Sequence, residues 1–167
     1  EHRATLDELA QRFSVTRERI RQIERDLRDY VDEWLGRPES APVVAHLQWL
    51  RSRLGAAAPA DELATAAPWH RQELVTLHIP VWRFLRTLLT EYEQVDGWLV
   101  AGGADELREK TRQLFTDGPV KLADAVGMVA QLGVREEVAE RWLASVPNLR
   151  VLEGHVVPWP RSVNDKT

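Results

Sequence analysis

A mainly α-helical chain, with a helix-turn-helix whose second helix is long and two winged-helix-like modules after it, is predicted by three observations. The first is apolar spacing of three and four between residues 5 and 34. The second is the segment Gly36-Arg37-Pro38-Glu39-Ser40, which breaks that pattern and reads as a linker. The third is a repeated grammar of three helical stretches and a β-hairpin. It closes once at Gly97-Trp98-Leu99-Val100 and again, 57 residues on, at Gly154-His155-Val156-Val157. The expected modules are therefore 1–36, 41–101 and 104–167, with Gly102-Gly103 as the joint between the last two.

Residues 5–13 place Leu6, Leu9, Ala10 and Phe13 on one helical face, and Thr5 with Glu8 forms a capping box that starts the helix. Ser14-Val15 makes a short break. Thr16 can then N-cap a second helix with Glu18 in its positive first turn, and nothing interrupts it before Gly36. That gives about 19 residues, or about 28 Å. Its apolar line is Ile20, Ile23, Leu27, Tyr30 and Trp34, expected to be core or to pack on the next module. A dimeric coiled coil, and with it a homo-oligomer, is the alternative, although under three heptads is short for one. Arg17, Arg21, Arg25 and Arg28 form a stripe on another face.

In the first winged-helix-like module, helices are expected over 43–54, around 61–66 and over 81–89, with a hairpin over 92–100 turning at Asp96-Gly97. In the second, helices are expected over 104–115, 122–131 and 135–145. A hairpin over 149–157 turns at Glu153-Gly154. Of the seven Trp, Trp49, Trp82 and Trp142 lie in apolar helical patterns and are expected in the core. Trp98 and Trp159 lie on or just past the hairpins, and Trp159, between Pro158 and Pro160, is the better candidate for contact with a partner.

Composition bounds the function. The chain has 167 residues, net charge −4 and no Cys. The absence of Cys fits an intracellular, cytoplasmic location, and no apolar run reaches the roughly 20 residues of a membrane span. Residues 1–40 hold 8 Arg against 10 acids, and the later modules are likewise slightly acidic. Any nucleic-acid binding must come from local placement of Arg, not from bulk charge. The five His show no metal-ligand spacing, and no nucleophile elbow, phosphate loop or dinucleotide motif is present. No enzyme activity, metal or cofactor is expected.

The stretch Thr5–Glu24, TLDELAQRFSVTRERIRQIE, closely resembles region 4 of the primary, sigma-70-type sigma factors, with the VTRERIRQIE string the most specific part. The resemblance implies a helix-turn-helix that reads the promoter −35 element in the major groove. It places base contacts at Arg17, Glu18 and Gln22 and phosphate or groove-edge contacts at Thr16 and Arg21. Arg25, further along, suits a phosphate or a second protein. The chemistry agrees: Arg pairs bidentately with guanine, Gln with adenine, and Glu accepts from cytosine N4. Ser14 departs from the Gly, Asn or Asp that most easily adopts the left-handed turn, and only four residues precede Thr5. The chain also begins without Met, which suggests the C-terminal part of a longer protein.

Three functional expectations result. The first is a sequence-specific transcription regulator or sigma-like factor binding double-stranded DNA. The second is an interaction module that turns the helix-turn-helix toward RNA polymerase or another protein, as region 4 does. The third is a DNA-targeting tail of a larger, multi-domain protein. In the two later modules the third helices carry few Arg, and Glu136, Glu137 and Glu140 make the second one unattractive to DNA, which favours protein contact or internal packing there.

Overall fold

The computed structural model describes Glu8, Gln11 and residues 16–160. The expected first helix is described only at Glu8 and Gln11, both helical and exposed, and the turn at Ser14-Val15 lies outside the described residues. Seven α-helices and three small antiparallel sheets make up the described part, so the mainly α expectation holds. By contact density the chain divides into two compact units, residues 1–46 and 47–167.

The first unit is dominated by helix α1, Arg17–Leu35. Thr16 caps it as expected, with extended backbone and a side-chain oxygen that accepts from the Arg19 amide at 3.2 Å. Gly36 ends it by donating to the carbonyls of Asp32 and Glu33, and the Ser40 hydroxyl donates to the Trp34 carbonyl at 2.7 Å. The core expectation for the apolar line fails along most of its length. Only Ile20 is buried, whereas Ile23 is exposed and Leu27 and Tyr30 are each 60% exposed. The 3-4 spacing establishes that these side chains share a face, but it carries no information about what covers that face.

Helix α2, Ala41–Leu54, carries the chain across the boundary between the units. Pro42 sits in its first turn, where its missing N–H is not needed, and Gly55 ends it at φ +66°. Strand β1 (Ala57–Pro59), helix α3 (Glu62–Thr65), the two-residue strands β2 (Glu73–Leu74) and β3 (Ile79–Pro80), and helix α4 (Val81–Leu88) follow. Strands β4 (Tyr92–Val95) and β5 (Trp98–Ala101) complete this half. The second half runs α5 (Ala104–Gln113), β6 (Val120–Lys121), α6 (Leu122–Ala130), α7 (Glu136–Ser145), β7 (Leu149–Leu152) and β8 (His155–Pro158). Both hairpins turn at the predicted dipeptides. Asp96-Gly97 and Glu153-Gly154 each have two consecutive positive φ angles, the requirement of a type I′ turn.

The halves share one topology: helix, short strand, helix, helix, hairpin. In each, the short first strand pairs antiparallel with the last one, giving sheet orders β1-β5-β4 and β6-β8-β7. The first half adds the β2–β3 hairpin between its second and third helices.

A single core runs from the second half into the first. Trp142, Phe115, Val129, Leu143 and Val156 are packed with Ala57, Trp98 and Val100 of the first sheet. Trp98 and Trp142 meet edge to face with centroids 5.2 Å apart, and the Trp142 indole N–H donates to Thr111 Oγ1 at 3.1 Å. Strand alternation explains the arrangement. Ala57, Val100, Pro59 and Trp98 point to one face of the first sheet, toward the second half. Buried Ala58 and Leu99 point to the other face, where Leu47, Leu50, Leu54, Leu63 and Leu85 supply the first half's own core. The seam is also polar at its edges. Arg135 pairs with Glu62, Arg108 with Asp96 at 2.9 Å, the Ala56 amide donates to the Gly133 carbonyl at 2.9 Å, and Glu93 accepts from the Ala104 amide at 2.8 Å.

Of the tryptophans expected in the core, Trp142 is fully buried and Trp82 half-buried, but Trp49 is 43% exposed. It lies on the side of α2 opposite Leu47, Leu50 and Leu54, with the Arg53 guanidinium 5.7 Å from its ring. Trp98, placed only on a hairpin by the sequence, is a core residue at 5% exposure.

Candidate nucleic-acid interface

The first two turns of α1 present the candidate interface. Thr16, Arg17, Glu18, Arg21, Gln22 and Arg25 are all exposed, while Ile20 is buried. At 100° per residue, Arg17, Arg21, Arg25, Glu18 and Gln22 fan over an arc of about 140°, and the axial distance from Arg17 to Arg25 is about 12 Å. The apolar line occupies the opposite side, so one helix carries a polar face and an apolar face.

The side chains of the fan are engaged with one another. Arg19 donates to Gln22 Oε1 at 3.1 Å, and Arg21 pairs with Glu18 at 3.5 Å. Both contacts join exposed groups one turn apart and are weak in water, so these side chains remain available to other partners. Arg19 is the residue that sequence reasoning missed. Its i to i+3 relation to Gln22 was the available signal. The Thr16 hydroxyl uses one lone pair on the Arg19 amide, and its own O–H is a further donor at the helix start. Glu18 is the one acid of the first turn, where the positive end of the helix dipole favours negative charge.

Among the described residues, no group of three His, Asp or Glu is arranged to hold a metal ion, and no helix is long and apolar enough to cross a membrane. His70, fully buried, donates from Nδ1 to the Leu63 carbonyl at 2.6 Å and joins α3 to the turn after it.

No curated protein and no solved structure matches the chain. One family model does. Residues 1–28 match sigma-70, region 4, and the match ends inside α1. The N-terminal segment of this chain is thus similar to region 4 of sigma-70, over residues 1–28.

Proposed function

We propose that the chain is a sequence-specific DNA-binding protein, a transcription regulator or sigma-like factor, and not an enzyme. In this reading α1 lies in the major groove, with Arg17, Glu18 and Gln22 on base edges and Thr16, Arg21 and Arg25 on phosphates or the groove edge. The observation that carries it is the coincidence of two facts. The family match ends at Arg28, and the exposed polar fan falls wholly within it. The two later halves are read as winged-helix-like modules over 41–101 and 104–167, on their shared helix, strand, helix, helix, hairpin order.

Band shifts on a −35-like duplex test the site. Arg17→Ala should cost roughly 1–3 kcal/mol and relax preference at one base pair, whereas Arg25→Ala should weaken all sequences alike. Unchanged binding by an Arg17→Ala/Gln22→Ala protein removes the assignment.

One observation favours a second, protein-binding role. Leu27 and Tyr30, on the face away from the fan, are each 60% exposed, a larger apolar display than a DNA reader needs. RNA polymerase is the partner the family implies. Retention of polymerase subunits by the wild-type chain but not by Leu27→Glu would support it, and equal retention by both would remove it.

A further inference from the structure

The two halves of the C-terminal unit use equivalent sheet faces differently. With Gly97 superposed on Gly154, Glu93, Val95, Trp98 and Val100 correspond to Arg150, Leu152, His155 and Val157. Pro59, opposite Trp98, corresponds to Lys121, opposite His155. In the first sheet this face is closed, because Ala57, Trp98 and Val100 are buried in the core shared with the second half. In the second sheet, Leu149, Val151 and Val156 turn inward to that same core. Strand alternation therefore turns Arg150, Leu152, His155, Val157 and Lys121 outward, and Arg150, Leu152 and Lys121 are exposed.

Two of the equivalent pairs stay apolar, Val95 with Leu152 and Val100 with Val157, and the other three change toward basic or polar groups. Acidic Glu93 becomes Arg150, apolar Trp98 becomes His155, and Pro59 becomes Lys121. A face that would be covered by another apolar module has no use for these changes, whereas a polyanion does. The ring of Trp159 extends the face. Its amide donates to the Asn148 carbonyl at 2.8 Å, which anchors it beside β7, and the Arg150 guanidinium lies 4.2 Å from the ring centroid. The stacked guanidinium is held in place at little further entropic cost, as a phosphate contact requires. Glu153, in the turn, is the one acid within the hairpin, and its carbonyl faces His155 Nδ1 at 3.1 Å.

We infer that the outer face of the β6-β8-β7 sheet, with Lys121, Arg150 and His155 on it and Trp159 at its edge, is a second, sequence-independent contact surface for the phosphate backbone of duplex DNA. This rests on the reading of the chain as a DNA-binding protein. It explains how a chain with net charge −4 and an acidic third helix α7 can still add electrostatic affinity: the cations sit on the sheet, not on the helix.

The test uses the full chain and fluorescence anisotropy on −35-like and scrambled duplexes across a salt series, with circular dichroism melts to verify folding. Lys121→Ala/Arg150→Ala should weaken binding to both duplexes by about tenfold and lower the slope of log affinity against log salt by about 2, while sequence preference is kept. A photo-cross-linker carried at position 152 should attach to the duplex, and one at exposed position 77 should not. If the wild-type chain binds the −35-like duplex selectively but the double variant matches it in affinity and slope, the sheet surface is overturned and the proposed function stands. If the wild-type chain binds without preference and only the sheet variant weakens it, the sheet surface stands and the helix-turn-helix reading falls. No duplex binding by the wild type overturns both.

Discussion

The halves of the C-terminal unit follow the same order of elements and the same sheet pairing, yet one sheet is buried on both faces and the other on one. In the first half, Trp98, Leu99 and Val100 are consecutive and all buried, because alternate residues feed two different cores. In the second, the alternation Arg150, Val151, Leu152 and His155, Val156, Val157 separates a wet face from a dry one. A repeated fold thus need not repeat its contacts. One copy has become the cover of the other, and the copy without a cover is free to change the chemistry of its outer face.

The sharpest way to break this comparison is to delete the side chain at the same position in each half. Trp98→Ala removes a ring buried between the halves and set edge to face against Trp142, and should cost roughly 3–5 kcal/mol in urea unfolding. His155→Ala, at the equivalent outward position, should stay within about 0.5 kcal/mol of wild type. Comparable losses at the two sites would mean that the second sheet face is also covered.

A smaller effect sharpens the seam. Gly55 has φ +66°, and a Cβ there would come 2.6 Å from the Gly133 carbonyl oxygen, a backbone atom of the other half. Gly55→Ala should therefore add to a left-handed backbone cost of roughly 1–2 kcal/mol a backbone displacement of about 1–3 kcal/mol. Gly97 has φ +81° with open space around its Cβ position, so Gly97→Ala should show the backbone cost alone. Equal midpoint shifts for the two variants would deny the close approach of the halves.

Much of this was legible in the sequence, and the omissions have physical causes. Helices of eight residues or more announce themselves by periodicity, and the hairpins by Asp-Gly and Glu-Gly dipeptides, so their bounds were met within about two residues at most ends. Strands β1 and β6, three and two residues long, and the β2–β3 pair are too short to show alternation, although the first two close each sheet. What covers an apolar face is a tertiary fact. Hence Leu27, Tyr30 and Trp49 were expected to be buried and are exposed, while Trp98, assigned only to a hairpin, is core. The candidate interface on α1 was readable as a motif because its residues are nearly contiguous. The Arg19–Gln22 and Glu18–Arg21 pairs within it depend on rotamers. The cationic sheet face, assembled from Lys121 and Arg150 across three strands, could not be read from either segment alone.

The smallest expected effect concerns acid. Glu91, just before β4, is hydrogen-bonded to Arg51 of α2 and ties that helix to the first sheet. Its partial burial opposes ionisation, but the Arg51 hydrogen bond and the charges of Arg51 and Arg86 outweigh this and hold the carboxyl below its ordinary 4.5. A carboxyl with a depressed folded-state value stabilises the fold above its unfolded value and ceases to do so as pH falls through the folded one. The contribution, about 0.2–1 kcal/mol for a pair this exposed, should be present at pH 6 and fade below about 4.5. The equivalent residue of the second half is Asn148, which cannot titrate. Arg51→Met should therefore lower stability at pH 6 and leave a shallower dependence of the urea midpoint between pH 5 and 3, measured by a probe in the first half. An unchanged slope in that variant would show that the first half does not owe its acid sensitivity to this pair.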